Sequence, residues 1–191
     1  AGLFRTQDGG RRWRRAPQAV NTPVALFAID PARPSTLYGS LEFPGLGSRL
    51  AVSRDGGAHW SRLPGPLRDP GWLRVDPHRA RTLYAVAVSF APGRPPRFPT
   101  SIWRSGDGGR RWHRVRPFGE LAFDGRGALI LGARGLYRSR DHGRTWRRTH
   151  SGVRFVGGLV ADPVRAGVLY IRTSGISGQG IRRSRNGGAS W

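Results

Sequence analysis

One octapeptide recurs five times along the chain, and it constrains the fold more than any other feature of the sequence. Each copy begins with Ser or Thr, has Asp or Asn two residues later, passes through a glycine-containing corner and ends in tryptophan. The copies occupy residues 6–13, 53–60, 105–112, 139–146 and 184–191. A repeat at intervals of about 45 residues indicates an architecture in which one supersecondary unit is stacked several times.

The chemistry of the octapeptide predicts a tight hairpin turn. Its hydroxyl and carboxylate can hydrogen-bond to the backbone of the turn, and its glycines allow a positive φ without steric penalty. Asn186 keeps an acceptor in the fifth copy, and His142, which replaces a glycine in the fourth, should adopt an ordinary or left-handed φ. We assign structural roles in these turns to Asp8, Trp13, Asp55, Trp60, Asp107, Trp112, Asp141, Trp146, Asn186 and Trp191.

Strands are predicted on both sides of each turn. An apolar residue stands five positions before the Asp or Asn, and the tryptophan can anchor the returning strand on a neighbouring sheet. The apolar residues are Leu3, Leu50, Ile102, Leu136 and Ile181. Upstream of four of the turns, a short apolar strand ends at an aspartate, turns through Pro or Gly and starts a second strand. These aspartates are Asp30, Asp76, Asp124 and Asp162.

Each full repeat therefore has four strands, A to D, and no segment shows sustained helical periodicity. Four antiparallel strands per repeat predict an all-β protein with the β-propeller fold, in one domain over residues 1–191. We expect a partial blade at 1–18 and blades at about 22–64, 70–117, 118–150 and 155–191. With about four blades, the chain should form an arc of a larger propeller of six to eight blades. A compact four-bladed ring is the alternative.

The repeats resemble a known family of sequences. The octapeptide resembles the Asp-box, or bacterial neuraminidase (BNR), repeat of sialidases. The Asp-Pro element followed by Leu-Tyr, as at residues 30–38 and 76–84, resembles the form found in xyloglucanase-type glycoside hydrolases, the sortilin ectodomain and photosystem II assembly factors. The resemblance covers essentially the whole chain. It implies a β-propeller and an extracytoplasmic or secreted location, although residues 1–191 show no signal peptide, and it implies no single activity.

The acidic residues give little support for catalysis. Of the 11 Asp and Glu residues, eight fall in the two kinds of turn, which leaves Glu42, Asp69 and Glu120 as weak catalytic candidates. Glycoside hydrolysis usually needs two carboxylates about 5–9.5 Å apart, and these three lie in different predicted loops. We assign no catalytic residue, and Glu42, predicted to follow strand B, is the first to test. The Arg-Ile-Pro segment typical of sialidases is absent.

No cofactor or metal site is predicted. The chain has no cysteine, and its five histidines show neither metal-ligand spacing nor an adjacent carboxylate pattern, so we expect turn or surface positions for them. They are His59, His78, His113, His142 and His150. The glycine-rich corners precede strands, whereas phosphate-binding loops precede helices.

Charge is the feature that points to a partner. All 33 basic residues are arginine and the net charge is +22, so the balance suits a polyanionic partner. A genome rich in G and C explains why the basic residues are arginine and not lysine. It does not explain why Asp and Glu are so few. The predicted ligand-binding residues are Arg104, Arg110, Arg111, Arg114, Arg116 and Arg138. The alternative is that arginines protect exposed edge strands from pairing with other molecules.

Three functions follow from these observations. The first is a rigid propeller scaffold that binds a glycan or an acidic protein surface; nucleic acid is less favoured. The second is a glycoside hydrolase of sialidase or xyloglucanase type, with catalytic residues partly outside this segment. The third is an assembly factor that holds a partner protein. The proline-rich segment 89–99 is predicted to be a loop between strands B and C, where binding residues often lie. The oligomeric state is left open.

Overall fold

A computed structural model describes residues 3–16, 24–88, 100–115, 119–125, 127–132, 135–149, 156–173 and 180–191. Within these ranges the regular elements are β-strands, and no α-helix occurs. No helix in this part of the chain is long and apolar enough to cross a membrane. The chain divides into two compact units. Unit 1 comprises Ala1–Val75 and Ala80–His113, and unit 2 comprises Asp76–Arg79 and Arg114–Trp191.

Unit 1 contains three sheets, and strands that follow one another in sequence are neighbours in each sheet. The first sheet consists of β1 (Phe4–Arg5) and β2 (Arg14–Arg15). The second consists of β3 (Ala25–Asp30), β4 (Arg33–Phe43), β5 (Gly47–Ser53) and β6 (Ser61–Arg62). The third consists of β7 (Pro70–Val75), β8 (Leu83–Val88), β9 (Thr100–Ser105) and β10 (His113–Val115), whose last two residues fall in unit 2.

Apolar residues on the strands of unit 1 build its core. The β4–β5 pair runs in unbroken antiparallel register from Leu37 opposite Ser53 to Phe43 opposite Gly47. The buried cluster brings together Leu50 of β5, Leu73 of β7, Leu83 of β8 and the turn tryptophan Trp112. Side chains from different sheets thus share one apolar layer, which is the packing expected of propeller blades.

Unit 2 repeats the same plan. One sheet consists of β11 (Glu120–Asp124), β12 (Gly127–Gly132), β13 (Gly135–Ser139) and β14 (Arg147–Arg148). The other consists of β15 (Val156–Ala161), β16 (Leu169–Thr173) and β17 (Gly180–Ser184). Leu136 of β13 packs in a buried cluster with Leu159 of β15 and with Leu169 and Ile171 of β16.

The predicted fold is confirmed in its main features: the described chain is all-β and includes three four-stranded sheets in sequential order. The glycine pairs of four octapeptides have positive φ, and His142 in the remaining copy has φ 58°, in the left-handed region. Ile181, the apolar residue before the fifth turn, is 78 % exposed, whereas Leu50, Ile102 and Leu136 before the second, third and fourth turns are buried. Segment 89–99 and residues 174–179 lie outside the described residues.

Candidate functional site

The octapeptide turns are closed by hydrogen bonds within each copy. In all five, the Ser or Thr hydroxyl donates to Asp or Asn Oδ1 at 2.7–2.9 Å. The same hydroxyl accepts the N–H of the second corner glycine at 2.6–3.0 Å. Oδ1 also accepts the N–H of the residue four positions later at 2.9–3.0 Å. These side chains therefore satisfy the backbone donors of the corner.

The same hydrogen bonds stabilise the ionised aspartates. The backbone N–H of His59, the Ser53 hydroxyl and the His59 ring hold the pKa of Asp55 well below its usual range. Burial raises the pKa of Asp141, but hydrogen bonds from the Thr145 side chain and backbone and from Ser139 outweigh it and hold this pKa below the usual range too. A carboxylate engaged in this way is a poor general acid, because it resists protonation.

The aspartates in the turns between strands A and B also accept hydrogen bonds from residues of their own turns. Asp30 is buried and accepts the Ala32 N–H at 3.0 Å and the Arg33 guanidinium at 3.0–3.2 Å. Asp162 accepts the N–H groups of Val164 and Arg165, both at 2.9 Å. These carboxylates fix the geometry of the turns.

Two histidines contact neighbouring turns within unit 2, a role that the sequence does not reveal. His142 Nδ1 lies 3.1 Å from Oδ2 of the buried Asp76, and His78 Nε2 lies 3.0 Å from the Asp124 carbonyl oxygen. His142 occupies a turn position, as predicted, and its contact with Asp76 is an addition that the sequence pattern does not show. Its partner is 66 residues away in sequence, and only the stacking of repeats brings the two together.

The three weak catalytic candidates occupy different settings. Glu120 begins β11, and its two carboxylate oxygens accept the N–H groups of Gly158 and Leu159 at 3.0 and 2.7 Å. These N–H groups belong to an irregular stretch of β15, where the pairing register shifts between Val156 and Leu159. Glu120 was predicted in a loop, yet it joins two strands of unit 2 and completes their hydrogen bonding.

The other two candidates are exposed and belong to unit 1. Glu42 lies inside β4, where it pairs with Ser48, and so does not follow the strand as predicted. Asp69 has φ 44° and donates its backbone N–H to the Ser48 carbonyl oxygen at 3.2 Å.

Two of the predicted ligand-binding arginines are buried instead of exposed. Arg138 lies on β13 with its side chain 9 % exposed, and its guanidinium donates to the two oxygens of the buried Asp124 at 2.9 and 3.0 Å. It also donates to the Gly187 carbonyl oxygen at 3.4 Å. Arg104 on β9 is buried as well. Both arginines lie on the third strand of their sheets, which directs their side chains into the packing between sheets. A ligand at the surface therefore cannot reach them freely, contrary to the prediction.

The remaining predicted arginines stay at the surface where they are described. Arg110 and Arg111 are exposed in the third turn, and their backbone N–H groups donate to Asp107 at 2.9 Å. Arg114 on β10 is exposed too. Arg116 lies outside the described residues.

An open groove of about 520 Å³ in unit 2 concentrates basic side chains around the fourth turn and the β13–β14 hairpin. Arg147 pairs opposite Arg138 and Arg148 opposite Tyr137, which sets two consecutive arginines on the outer strand. The lining comprises Arg138, Arg140, Asp141, Thr145, Arg147, Arg148 and Thr149. Arg140 and the two threonines were not predicted as site residues, since only the folded hairpin brings them beside the outer strand.

The groove has an excess of positive charge. The carboxylate of Asp141 is engaged by its own turn, and Arg138 is paired with Asp124. Arg140, Arg147 and Arg148 are exposed, and none of them takes part in an ion pair within the described part of the chain. The three guanidinium groups can hydrogen-bond the oxygens of an anionic ligand, whereas the Thr145 and Thr149 hydroxyls already donate to Asp141 and to the Leu136 carbonyl oxygen.

The described residues show no cluster of three or more His, Asp or Glu side chains that could hold a metal ion. His59 forms its contact inside the second turn, His113 is exposed, and His150 lies outside the described ranges.

Sequential four-stranded antiparallel sheets, each with one of these turns between its third and fourth strands, are typical of the β-propeller fold. The family model "BNR/Asp-box repeat" matches residues 137–148, the segment that contains the fourth turn. The described chain thus has the β-propeller fold, and its fourth turn matches the BNR/Asp-box repeat. No curated protein shows a significant match to it.

Solved structures share the fold at low sequence identity. An ancestral GH74 enzyme is 18 % identical with a TM-score of 0.61 over 90 % of this chain and 24 % of the enzyme. The structure described as "YCF48 bound to D1 peptide" is 16 % identical with a TM-score of 0.51 over 92 % of this chain and 56 % of that protein. The chain thus spans about a quarter and just over half the length of these two proteins.

Proposed function

We propose that the protein is a rigid propeller scaffold that binds an acidic protein surface through the arginine-lined groove of unit 2. The observation that carries this proposal is the set of three exposed arginines, Arg140, Arg147 and Arg148, around one groove without ion-pair partners in the described chain. These arginines lie on a hairpin that the hydrogen bonds of the fourth turn close. Because its backbone is already ordered, less conformational entropy is lost on binding.

Carboxylates are the ligand chemistry that best fits the groove. Guanidinium groups bind carboxylates in a planar, two-bonded geometry, and the net charge of +22 steers an acidic partner toward the protein. The YCF48 structure was determined with a bound peptide, which supports a protein partner as the class of ligand for this fold. Acidic glycans would meet the same groups and are separated from peptides by the experiment below.

The test is binding of a fluorescent peptide rich in Asp and Glu to the full chain. A triple variant, Arg140→Gln with Arg147→Gln and Arg148→Gln, should bind about 10- to 100-fold more weakly, because each lost exposed charge pair contributes about 0.5–1 kcal/mol. Binding by the unchanged chain should also weaken as salt rises.

A matched control removes the same charge elsewhere. Its three substitutions to glutamine replace exposed arginines of the first turn and its following strand: Arg11, Arg12 and Arg14. If both variants lose affinity equally, total charge governs binding and the groove proposal is wrong. Retention of heparin with no binding of the acidic peptide would favour an acidic glycan instead.

Glycoside hydrolysis remains the alternative, and the described structure adds no observation that favours it. A panel of aryl glycosides incubated with the full chain tests it, with Glu42→Gln as the first variant. We also propose an extracytoplasmic location, which rests on the family resemblance and is tested by fractionation of cells that produce the protein.

A further inference from the structure

The fifth Asp-box turn differs from the other four in the residue that accepts the hydrogen bonds of the corner. The other copies have aspartate there, whereas the fifth has Asn186, which Gly187 follows. An asparagine followed by glycine loses its side-chain amide more readily than other asparagines, because glycine has no Cβ to hinder attack by its own nitrogen. The chain has one other asparagine, Asn21, and the bulkier Thr22 follows it. The fifth turn is therefore the place to look for this modification.

The reaction, deamidation, consumes one water molecule and releases ammonia. The Gly187 nitrogen gives its proton to a base in the solvent and attacks Cγ of Asn186. A bond forms between these two atoms, the bond from Cγ to Nδ2 breaks, and Nδ2 takes up protons from water and leaves as ammonia. Water then opens the cyclic imide. Breaking the new bond gives aspartate, and breaking the original peptide bond gives isoaspartate, in which the main chain runs through the side chain.

The folded turn holds the attacking nitrogen away from this reaction. Gly187 is buried, and its N–H donates to the Gly167 carbonyl oxygen at 2.8 Å. The second turn has the same hydrogen bond, from the Gly56 N–H to the Ser35 carbonyl oxygen at 2.8 Å. This contact is thus a regular part of the turn, and it must break before the nitrogen can lose its proton and approach the side chain of Asn186.

The side-chain amide that would be attacked is held too. Oδ1 of Asn186 accepts the Ser184 hydroxyl at 2.9 Å and the Ser190 N–H at 3.0 Å, and Nδ2 donates to the Ser190 hydroxyl oxygen at 2.8 Å. Asn186 is nevertheless exposed, so water can reach its side chain. Both reacting groups are therefore fixed by hydrogen bonds, and the reaction depends on opening of the turn.

The aspartate product fits the same turn, as the fourth copy shows. Oδ1 of Asp141 accepts the Ser139 hydroxyl at 2.7 Å and the Thr145 N–H at 2.9 Å, and Oδ2 accepts the Thr145 hydroxyl at 2.6 Å. Ser190 occupies the place of Thr145 in the fifth copy. After deamidation of Asn186, the Ser190 hydroxyl can donate to the new carboxylate oxygen. One hydrogen bond reverses its direction and none is lost.

The other four copies also show that the turn stabilises the ionised product. Burial raises the pKa of Asp107 and Asp141, yet hydrogen bonds hold the pKa of the aspartate below its usual range in all four copies. Isoaspartate has an additional carbon atom in the main chain, which moves the N–H groups of the corner away from their acceptors. The turn therefore accommodates aspartate and not isoaspartate.

We propose that Asn186 is a site of spontaneous deamidation that the folded turn protects, and that opening of the turn converts it into the aspartate found in the other copies. The aspartate form then closes the turn again, whereas the isoaspartate form leaves it open. The modification is a permanent record that the turn has opened. Asn186 does not line the arginine groove of unit 2, so this proposal and the proposed ligand binding can fail independently.

The experiment compares the full chain in buffer and in concentrated urea, both at mildly alkaline pH. Digestion after Arg185 releases a peptide that begins at Asn186, and mass spectrometry with chromatography measures its aspartate and isoaspartate forms. Deamidation in buffer should be about 10- to 1,000-fold slower than in urea, because the population of the open turn limits it. Asn21 should stay largely intact in urea, since a side chain on Thr22 hinders the attack.

A pair of matched substitutions tests the role of the turn itself. Ser184→Ala removes the hydroxyl that donates to Asn186 and accepts the Gly188 N–H. It should accelerate deamidation in buffer and leave the rate in urea unchanged. Ser53→Ala makes the same change in the second turn and should leave the rate at Asn186 unchanged in both. Circular dichroism verifies that both variants are folded in buffer.

Asn186→Asp supplies the product directly. Its Tm at neutral pH should equal or exceed that of the unchanged chain, and any gain should disappear below about pH 4, where a carboxylate with a lowered pKa is protonated. Equal rates of deamidation in buffer and urea would overturn the proposal without any variant. So would an unchanged rate in folded Ser184→Ala, or a lower Tm of Asn186→Asp at neutral pH.

Discussion

Replacing Gly109 with alanine tests how closely neighbouring sheets approach at a glycine corner. Gly109 and Gly10 occupy the same place in two copies of the turn, with φ of 90° and 92°. A methyl group on Gly109 would lie 2.9 Å from the two δ-carbons of Leu63, whereas one on Gly10 would meet no atom of the described residues within 4 Å. The two substitutions therefore share their backbone strain and differ in packing.

The two variants should differ in how much free energy of unfolding they lose. A left-handed alanine costs about 1–2 kcal/mol relative to glycine, and this applies to both positions. Gly109→Ala should lose about 1–3 kcal/mol more, because Leu63 is buried against Trp112 and must move to accept the methyl group. Since 1 kcal/mol corresponds to about 2–4 °C in a chain of this size, Tm should fall by about 2–8 °C for Gly10→Ala and about 4–20 °C for Gly109→Ala.

The assay is thermal and urea unfolding followed by circular dichroism. Leu63→Val removes the δ-carbons that an added methyl group would meet. In a Leu63→Val background, Gly109→Ala should therefore lose most of its additional cost, which is a coupling between contacting sites. Equal losses of stability for Gly10→Ala and Gly109→Ala would refute the packing argument.

Three further predictions concern the carboxylates. The folded pKa of Asp55 is lowered, so its stabilising effect is present above its ordinary pKa near 4 and is lost as pH falls toward the folded value. When Tm is measured from pH 6 to pH 2, it should decrease once the pH is below about 4. The decrease should be smaller in Asp55→Asn. Asp124→Asn removes the charge that Arg138 pairs with and should destabilise the protein by about 3–5 kcal/mol in urea unfolding, whereas Arg33→Gln, which removes a half-exposed guanidinium and leaves the Ala32 N–H on the buried Asp30, should cost less. Glu120→Ala leaves two backbone N–H groups without their acceptor and should cost about 1–3 kcal/mol by the same measurement, with a smaller loss for Glu120→Gln; hydrogen exchange at Leu159 should accelerate in both.

The sequence predicts what depends on neighbouring residues in the chain. The Asp-box turns were predicted from their hydroxyl, carboxylate and glycines, because the hydrogen bonds of the hydroxyl and of the carboxylate to the corner close within five residues. The left-handed His142 followed from its place in the same corner. Four-stranded sheets followed from the order of these turns and of the Asp-Pro elements.

What the sequence does not predict depends on how one sheet lies on another. Arginine is usually a surface residue, yet Arg138 is buried because Asp124, on the first strand of the same sheet, neutralises its charge. Glu120 gains its role from an irregularity in β15 that begins 36 residues later, and His142 meets Asp76 only through the stacking of sheets. Arg140 joins the groove because the hairpin folds it beside Arg147.

The close fit between the second glycine of a turn and a leucine of the sheet before it has a consequence for how this protein can change over time. A corner without a side chain has nothing that can shift to absorb an error, so the leucine and the backbone must fit as they stand. New lengths and new chemistry can accumulate in the connections between the second and third strands. Substitution is excluded chiefly at the second glycines that pack on a leucine, Gly57, Gly109 and Gly188, whereas the first position of the corner accepts His142 in the fourth turn.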